Sequence, residues 1–356
     1  MNNFINNQNY KKDVLETSKY KLDWNELKNK SILFTGITGL IGRYFTDLIM
    51  YKNIHENLNC TIIGASRDEK NIQSIFPQYV QHNNFKYISV DVKEKINFDE
   101  NIDYIIHAAS NTYPIQYAKD PIGTIYTNVL GTKNLLELAE EKRVKKFIFI
   151  SSFEVYGKVE NISKISENDF GVVNCTVLRS CYPESKRLSE SLCIAFSEQK
   201  GVNTSIVRLS RVFGPTMNFE SSLATAQFIK KGLENEDIVL KSDGMQEYSY
   251  NYVADAVTAI LQVAIKGEDK EAYNVADSKF DIKLKDFAEI AANTCNKSVI
   301  FDLPDEIEKK GFSNSVMTIL DNEKIKNIGW YVEKDIKQRI QDTINILKNN
   351  DGEIIC

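Results

Sequence analysis

A doubly wound parallel α/β sheet, with a smaller α/β domain interleaved behind it, is the fold this sequence predicts. Three observations carry the prediction. Apolar strand-like runs alternate with helical patterns over the first 210 residues, a glycine-rich turn joins the first run to a helix, and beyond that point the pattern becomes irregular. Near-continuous apolar strands separated by helices mark a parallel sheet covered on both faces.

Residues 1–28 are rich in Asn and Lys and read as an N-terminal extension, with Trp24 and Leu27 in a short amphipathic piece. Ser31–Gly36 (SILFTG) is the first strand, Leu40–Met50 a helix and Cys60–Ser66 (CTIIGAS) the second strand. Lys86–Val92 and Asp103–Ser110 are the third and fourth strands, Asn128–Lys142 a helix, and Lys145–Ser152 (KKFIFISS) the fifth strand. A helix at Tyr182–Gln199, a strand at Thr204–Ser210 and a break at Gly214–Pro215 follow, then helices at Ser222–Leu233 and Val253–Ile265 among short strands. The chain thus divides into a first unit over 29–210 and a second over 211–350, interleaved, with approximate boundaries.

At 356 residues, 42% hydrophobic and 26% charged, the chain has the composition of a globular protein and not of a disordered tail, a collagen or a disulfide mini-protein. Lys and Arg number 44 against 49 Asp and Glu, a net charge of −5 without long like-charge blocks, which argues against nucleic acid or an anionic membrane as partner. The first residues carry no apolar signal region, and no apolar run approaches the roughly 18 residues of a membrane span, so a cytoplasmic location is expected. Six scattered cysteines without a CxxC pair, and only three histidines, predict no metal site.

The turn TGITGLIG sets Gly36, Gly39 and Gly42 between strand and helix. In that context the first glycine permits a tight turn, the second lets backbone N–H groups of Thr38, Leu40 and Ile41 approach a pyrophosphate, and the third allows close helix packing. The GxxGxxG spacing, with Asp91-Val92, the strand end Ala108-Ala109-Ser110, the strand SSFEVYG (Ser151–Gly157) and Tyr182-x-x-x-Lys186 in order, resembles the extended short-chain dehydrogenase/reductases that modify nucleotide sugars. The resemblance covers about residues 29–348 and implies a Rossmann-like cofactor domain over 29–210, a substrate domain over 211–350 and a homodimer. It also implies adenine contacts at Asp91 and Val92, and further cofactor contacts at Ala108, Ala109, Ser110, Asn128, Tyr182 and Lys186.

Tyr182 and Lys186, four apart, share a helix face, and an ammonium beside a phenol favours the phenolate that accepts a proton from a sugar hydroxyl. Ser152 at the end of the fifth strand is expected to hold that hydroxyl. In 4,6-dehydratases of the family the next two residues are the acid Asp and the base Glu; here they are Phe153 and Glu154, so the acid is missing. RSCYPESKR (Arg179–Arg187) and Asn111–Thr132 look most like UDP-glucuronate decarboxylases, which keep only the glutamate. That likeness makes Asn111, Thr112 and Arg179 candidate substrate residues beside a substrate-facing Glu154.

The second half departs from this branch. GxQxRxFxYVxD reads Gly244-Met245-Gln246-Glu247-Tyr248-Ser249-Tyr250-Asn251-Tyr252-Val253-Ala254-Asp255, with Tyr248 in place of the diphosphate-binding arginine, and the Arg-Arg/Lys-Pro-Asp signature is absent from Ser313–Trp330. Conversely, Arg211 replaces the Asn of RxxNxYGP, and it is expected to restore positive charge at the diphosphate, beside Gln246 and Tyr248. At the second strand's end Ser66 and Arg67 suit a ribose phosphate, while Asp68 suits a free ribose hydroxyl; NAD is the family cofactor and NADP the alternative. The expected activity is nucleotide-sugar epimerisation through a 4-keto intermediate, the alternatives being decarboxylation, dehydration or net NADPH-dependent reduction.

Overall fold

Six apolar runs become neighbouring strands in the computed structural model, which describes residues 4–112, 114–303 and 317–348. They are Ser31–Thr35 (β1), Thr61–Ser66 (β2), Phe85–Ser89 (β3), Tyr104–His107 (β4), Lys146–Ser152 (β5) and Thr204–Leu209 (β6). The later strands are Arg211–Phe213 (β7), Ile238–Leu240 (β8), Glu247–Tyr252 (β9), Glu271–Val275 (β10), Asp281–Lys283 (β11), Val299–Phe301 (β12) and Met317–Thr318 (β13). The main sheet has seven strands in the order β10-β6-β5-β4-β1-β2-β3, every pairing parallel, so the fold class is the one the sequence predicts. The seventh strand, β10, is not legible as part of this sheet in the sequence; it pairs with β6 from Glu271↔Ser205 to Val275↔Leu209.

The helices are α1 (Gln8–Ser18), α2 (Leu40–Glu56), α3 (Glu69–Ile75), α4 (Pro114–Lys119), α5 (Pro121–Lys142), α6 (Cys181–Lys200), α7 (Ala224–Leu233), α8 (Val253–Lys266), α9 (Leu284–Thr294), α10 (Glu323–Asn327) and α11 (Ile336–Leu347). Side chains alternate across the sheet with period two, and each face finds its own helices. Leu33, Ile63, Ile105 and Phe147 pack with Leu135 and Leu136 of α5 and Cys193 of α6. Ile32, Phe34, Ile62, Ile106 and Ile148 pack with Phe45, Leu48 and Ile49 of α2 and Val257 and Ile260 of α8. α5 begins at Pro121 rather than Asn128, because Asp120 caps it by accepting from the Gly123 amide at 2.9 Å. α2 runs past Met50 to Glu56 and stops where Asn57 takes a left-handed φ of 53°.

The segment set apart in the sequence as an extension is packed into the rest of the chain. Asp13 of α1 is buried and accepts from the hydroxyls of Tyr44 (2.8 Å) and Tyr252 (2.7 Å) and from Arg339 Nη1 (3.1 Å). Arg339 of α11 also grips Asp255 through two nitrogens, at 2.8 and 3.1 Å. A smaller sheet centred on β9 pairs with β7, β11 and β13, and it sets Arg211 opposite Tyr250. Among the described residues no helix is long and apolar enough to cross a membrane, and no group of three or more His, Cys, Asp or Glu could hold a metal ion.

Candidate active site

The residues singled out in the sequence collect at the carboxyl ends of the parallel strands, where an open α/β sheet presents its loops to ligands. Gly36, just after β1, has a φ of +74°, and a Cβ there would stand 3.0 Å from the backbone of Ala108 and Ala109. The ends of β1 and β4 are thus pressed together by the absence of a side chain. Gly39 opens α2 with no side chain capping it, which leaves the helix N-terminus at Leu40 and Ile41 available to an anion. Thr38 turns its carbonyl away to Arg43 Nε, 2.9 Å. A Cβ on Gly42 would lie 2.4 Å from the Ile37 carbonyl oxygen, so only glycine lets α2 close onto the loop. An uncapped helix start beneath a backbone-lined cradle fits the pyrophosphate of a dinucleotide.

Around it, Ser66 ends β2 half-buried and Arg67 is exposed. Asp68 is occupied as the cap of α3, accepting from the Asn71 amide at 3.3 Å. Asp91 pairs with Lys93 at 3.3 Å, while Val92 is buried, its Cγ2 2.8 Å from where a Cβ on Gly131 would sit. Ser110 donates to Asn128 Oδ1 (2.7 Å), Asn128 donates to Ser185 Oγ (2.8 Å), and Ser185 donates to the Tyr182 carbonyl (2.9 Å). This relay fixes the start of α6 against the end of β4.

Tyr182 and Lys186 of the first turns of α6 are almost wholly buried, the tyrosine hydroxyl meeting Ser152 and the lysine reaching β5 at Ile150. Tyr117 of α4, not found from the sequence, stacks on the Tyr182 ring with centroids 5.3 Å apart and planes 17° apart. Burial raises the Tyr182 pKa, the Glu154 charge adds to the rise, and a hydrogen bond with Ser152 only opposes it. Lys186 lies 5.9 Å from the Tyr182 ring centroid and 4.7 Å from that of Phe149, and it donates to the Ile150 carbonyl at 2.8 Å. Burial in turn pulls Lys186 down to about 7, with Glu190 working against it. Glu190 accepts from Ser151 Oγ (2.6 Å) and from Arg208 Nη2 (2.7 Å) and Nε (3.1 Å). Its place one helical turn after Lys186 was the available signal for it.

Glu154, one residue past Phe153, donates its amide to Ser152 Oγ at 3.2 Å. Its carboxylate pairs with Arg179 at 3.2 Å. Burial raises its pKa, and Arg179 and Arg211 pull it back. The Arg211 guanidinium carbon stands 3.6 Å from the Tyr248 ring centroid and 4.3 Å from that of Phe153. Gln246 immediately precedes β9, and its Oε1 is buried without a hydrogen-bond partner. Asn111 donates to Thr124 Oγ1 at 3.1 Å, and Thr112 is exposed. Part of the Ser313–Trp330 stretch lies outside the described residues.

A glycine cradle beside a serine, a tyrosine and a lysine at a strand's carboxyl end fits an NAD-dependent short-chain dehydrogenase/reductase. Residues 32–276 match the NAD dependent epimerase/dehydratase family, and the chain belongs to that family. Over 238 residues it is 34% identical to UDP-glucuronic acid decarboxylase 1 of Xenopus tropicalis, spanning 67% of this chain and 54% of that protein. It is 32% identical to UDP-glucuronic acid decarboxylase 5 of Arabidopsis thaliana over 76% of each chain. Among solved structures, the UDP-glucuronic acid 4-epimerase of Bacillus cereus, in complex with UDP-glucuronic acid and NAD, superposes with a TM-score of 0.75 at 20% identity, covering 89% of this chain and 98% of that one. The cofactor of the family, and so of this chain, is NAD.

Proposed function

We propose that the chain oxidises the 4-hydroxyl of a nucleotide-linked sugar transiently and returns it as an epimer. The observation that carries the reading is the convergence of Ser152, Tyr182 and Lys186 at the end of β5 beside the glycine cradle, with a phenyl ring at position 153 where a dehydratase would need an acid. Gly36, Thr38, Gly39, Leu40, Ile41 and Gly42 hold the cofactor pyrophosphate; Ser66, Asp91, Val92, Ala108, Ala109, Ser110 and Asn128 surround the rest of it. NAD, when bound, takes up and returns the hydride. Ser152 orients the sugar hydroxyl, and Tyr182, once bound ligands lower its pKa and its own proton has passed to solvent, accepts the hydroxyl proton as phenolate. Lys186, held by the Ile150 carbonyl one turn from Tyr182, would secure the nicotinamide ribose with its remaining N–H groups.

Decarboxylation of a nucleotide-linked uronate is the second reading. It is favoured by the decarboxylase relatives and by the Glu154–Arg179 pair, a half-buried carboxylate held by an exposed guanidinium. A 4-keto group serves either outcome: hydride returned to its other face gives the 4-epimer, while a carboxylate on C5 is lost as carbon dioxide, the bonding pair passing into the C4–C5 enolate. Incubation with a panel of UDP-, dTDP-, CDP- and GDP-sugars separates them: unchanged mass with a new diastereomer supports epimerisation, and loss of carbon dioxide supports decarboxylation. In whichever assay responds, Tyr182→Phe lowers turnover by about 10²–10⁴-fold; full activity refutes the assignment.

We also propose a homodimer through α5 and α6, whose outer faces expose Ile122, Ile125, Tyr126, Leu130 and Leu188. Sedimentation at the mass of a single chain would refute it.

A further inference from the structure

Among the described residues three guanidinium groups lie over aromatic rings: Arg208 on Tyr156 and Arg339 on Tyr252, both buried, and the half-buried Arg211 near Phe153 and Tyr248. The first two are neutralised from within, Arg208 by Glu190 and Arg339 by Asp255 and Asp13. Arg211 donates no hydrogen bond and forms no ion pair with any described residue; stacking holds its plane and leaves its N–H fork unused. Beside it the hydroxyl of Tyr250, the residue paired with Arg211 across β7 and β9, is also buried without a partner. Glu154 is the carboxylate that acts on Arg211, and it is already paired with Arg179, so two guanidinium groups share one negative charge.

The location decides which anion completes the set. One ring that sandwiches Arg211 belongs to Phe153, the residue immediately after Ser152, and Glu154 influences Tyr182 and Arg211 alike. The free fork therefore stands at the reacting end of the sugar, where C4 meets Ser152 and Tyr182 and the substituent on C5 is one carbon away. We propose that Arg211, with the Tyr250 hydroxyl, is the specificity-determining site for a carboxylate carried on C5 of the substrate sugar, making this chain selective for nucleotide-linked uronates over neutral hexoses. The proposal rests on the nucleotide-sugar reading above and refines the expectation that Arg211 serves the diphosphate. Positive charge lost at position 248 reappears at 211 with a different task. Tyr248 supplies a ring face beneath that charge, and a Glu154 shared with Arg179 leaves the half-buried guanidinium room for an incoming anion.

The test is calorimetric titration of the NAD-loaded protein with UDP-glucuronate, UDP-glucose and UDP, for the wild type, Arg211→Gln and Arg211→Lys. Wild-type protein is expected to bind UDP-glucuronate at least about tenfold more tightly than UDP-glucose. Arg211→Gln should erase that advantage while changing affinity for UDP-glucose and UDP by less than about twofold, and Arg211→Lys should restore part of it. A uniform loss for all three ligands in Arg211→Gln assigns the residue to the diphosphate and overturns the proposal. Equal wild-type affinity for UDP-glucuronate and UDP-glucose overturns it as well, with the nucleotide-sugar function intact. Absence of binding to all three overturns both. Circular dichroism on each variant separates misfolding from lost recognition, and if Arg211→Gln does not fold, the Arg211→Lys ratio carries the decision.

Discussion

Replacing Gly42 by alanine tests the cofactor cradle at its tightest point. The new Cβ would lie 2.4 Å from the Ile37 carbonyl oxygen, 2.5 Å from its Cα and 2.6 Å from its carbonyl carbon. These are backbone atoms of the loop itself, so no side-chain rotation relieves the clash. Restoring ordinary contact requires α2 and the loop to part by about 1 Å, a misfit that costs about 1–3 kcal/mol in a packed interior. The displaced amides are the ones that would face the pyrophosphate, and a shift of this size can weaken a positioned reaction by about 10²-fold. Titration of NAD by tryptophan fluorescence and urea unfolding at constant slope measure the two effects. Gly201→Ala is the control. Its φ is +69° and nothing lies within 4 Å of its Cβ position, so it should lose stability through backbone strain alone and bind NAD normally. If Gly42→Ala binds NAD as tightly as the wild type, the glycine is not there to bring helix and loop together.

Two further perturbations report on the scaffold. Asp13→Asn keeps the shape but removes one of the two carboxylates that face Arg339, and with Asp255 still paired it should cost about 1–3 kcal/mol in urea unfolding. Lys12→Ala, on the exposed side of α1, should stay within about 0.5 kcal/mol, and equal effects of the two would show that α1 is held by apolar contact alone. Lys186 titrates near 7 in the folded chain instead of near 10.5, so between these values the unfolded chain binds more protons and stability from this group rises with pH. The difference in unfolding free energy between wild type and Lys186→Met should therefore climb by about 1.4 kcal/mol per pH unit above pH 7; a flat difference would refute the depressed pKa.

What could be read from the sequence was whatever is written locally. The β1–loop–α2 unit and the Tyr182–Lys186 pair are set by spacing within one turn of chain, so both were found. α1 was missed because its inward face contains Asp13 and Thr17, which look like solvent-facing positions until Tyr44, Tyr252 and Arg339 arrive from far along the chain. β10 was missed because five residues beginning Glu-Ala carry no sheet address of their own; β6 supplies it. Helical spacing places Lys186 beside Tyr182 but does not say which way its ammonium turns; it turns to the Ile150 carbonyl. The sandwich of Arg211 joins residues 153, 211 and 248, and no local pattern links them.

The seventh strand has a consequence for how the chain comes into being. Because β10 closes the edge of the sheet that begins at Ser31, the cofactor-binding half is not finished until residue 275 has left the ribosome, and Asp13 meets its cation only when residue 339 follows. Neither half is a self-sufficient module that could be exchanged between relatives by cutting near residue 210. A recombinant swap that respects this wiring must carry Glu271–Val275 with the first half and keep α1 and α11 from the same parent.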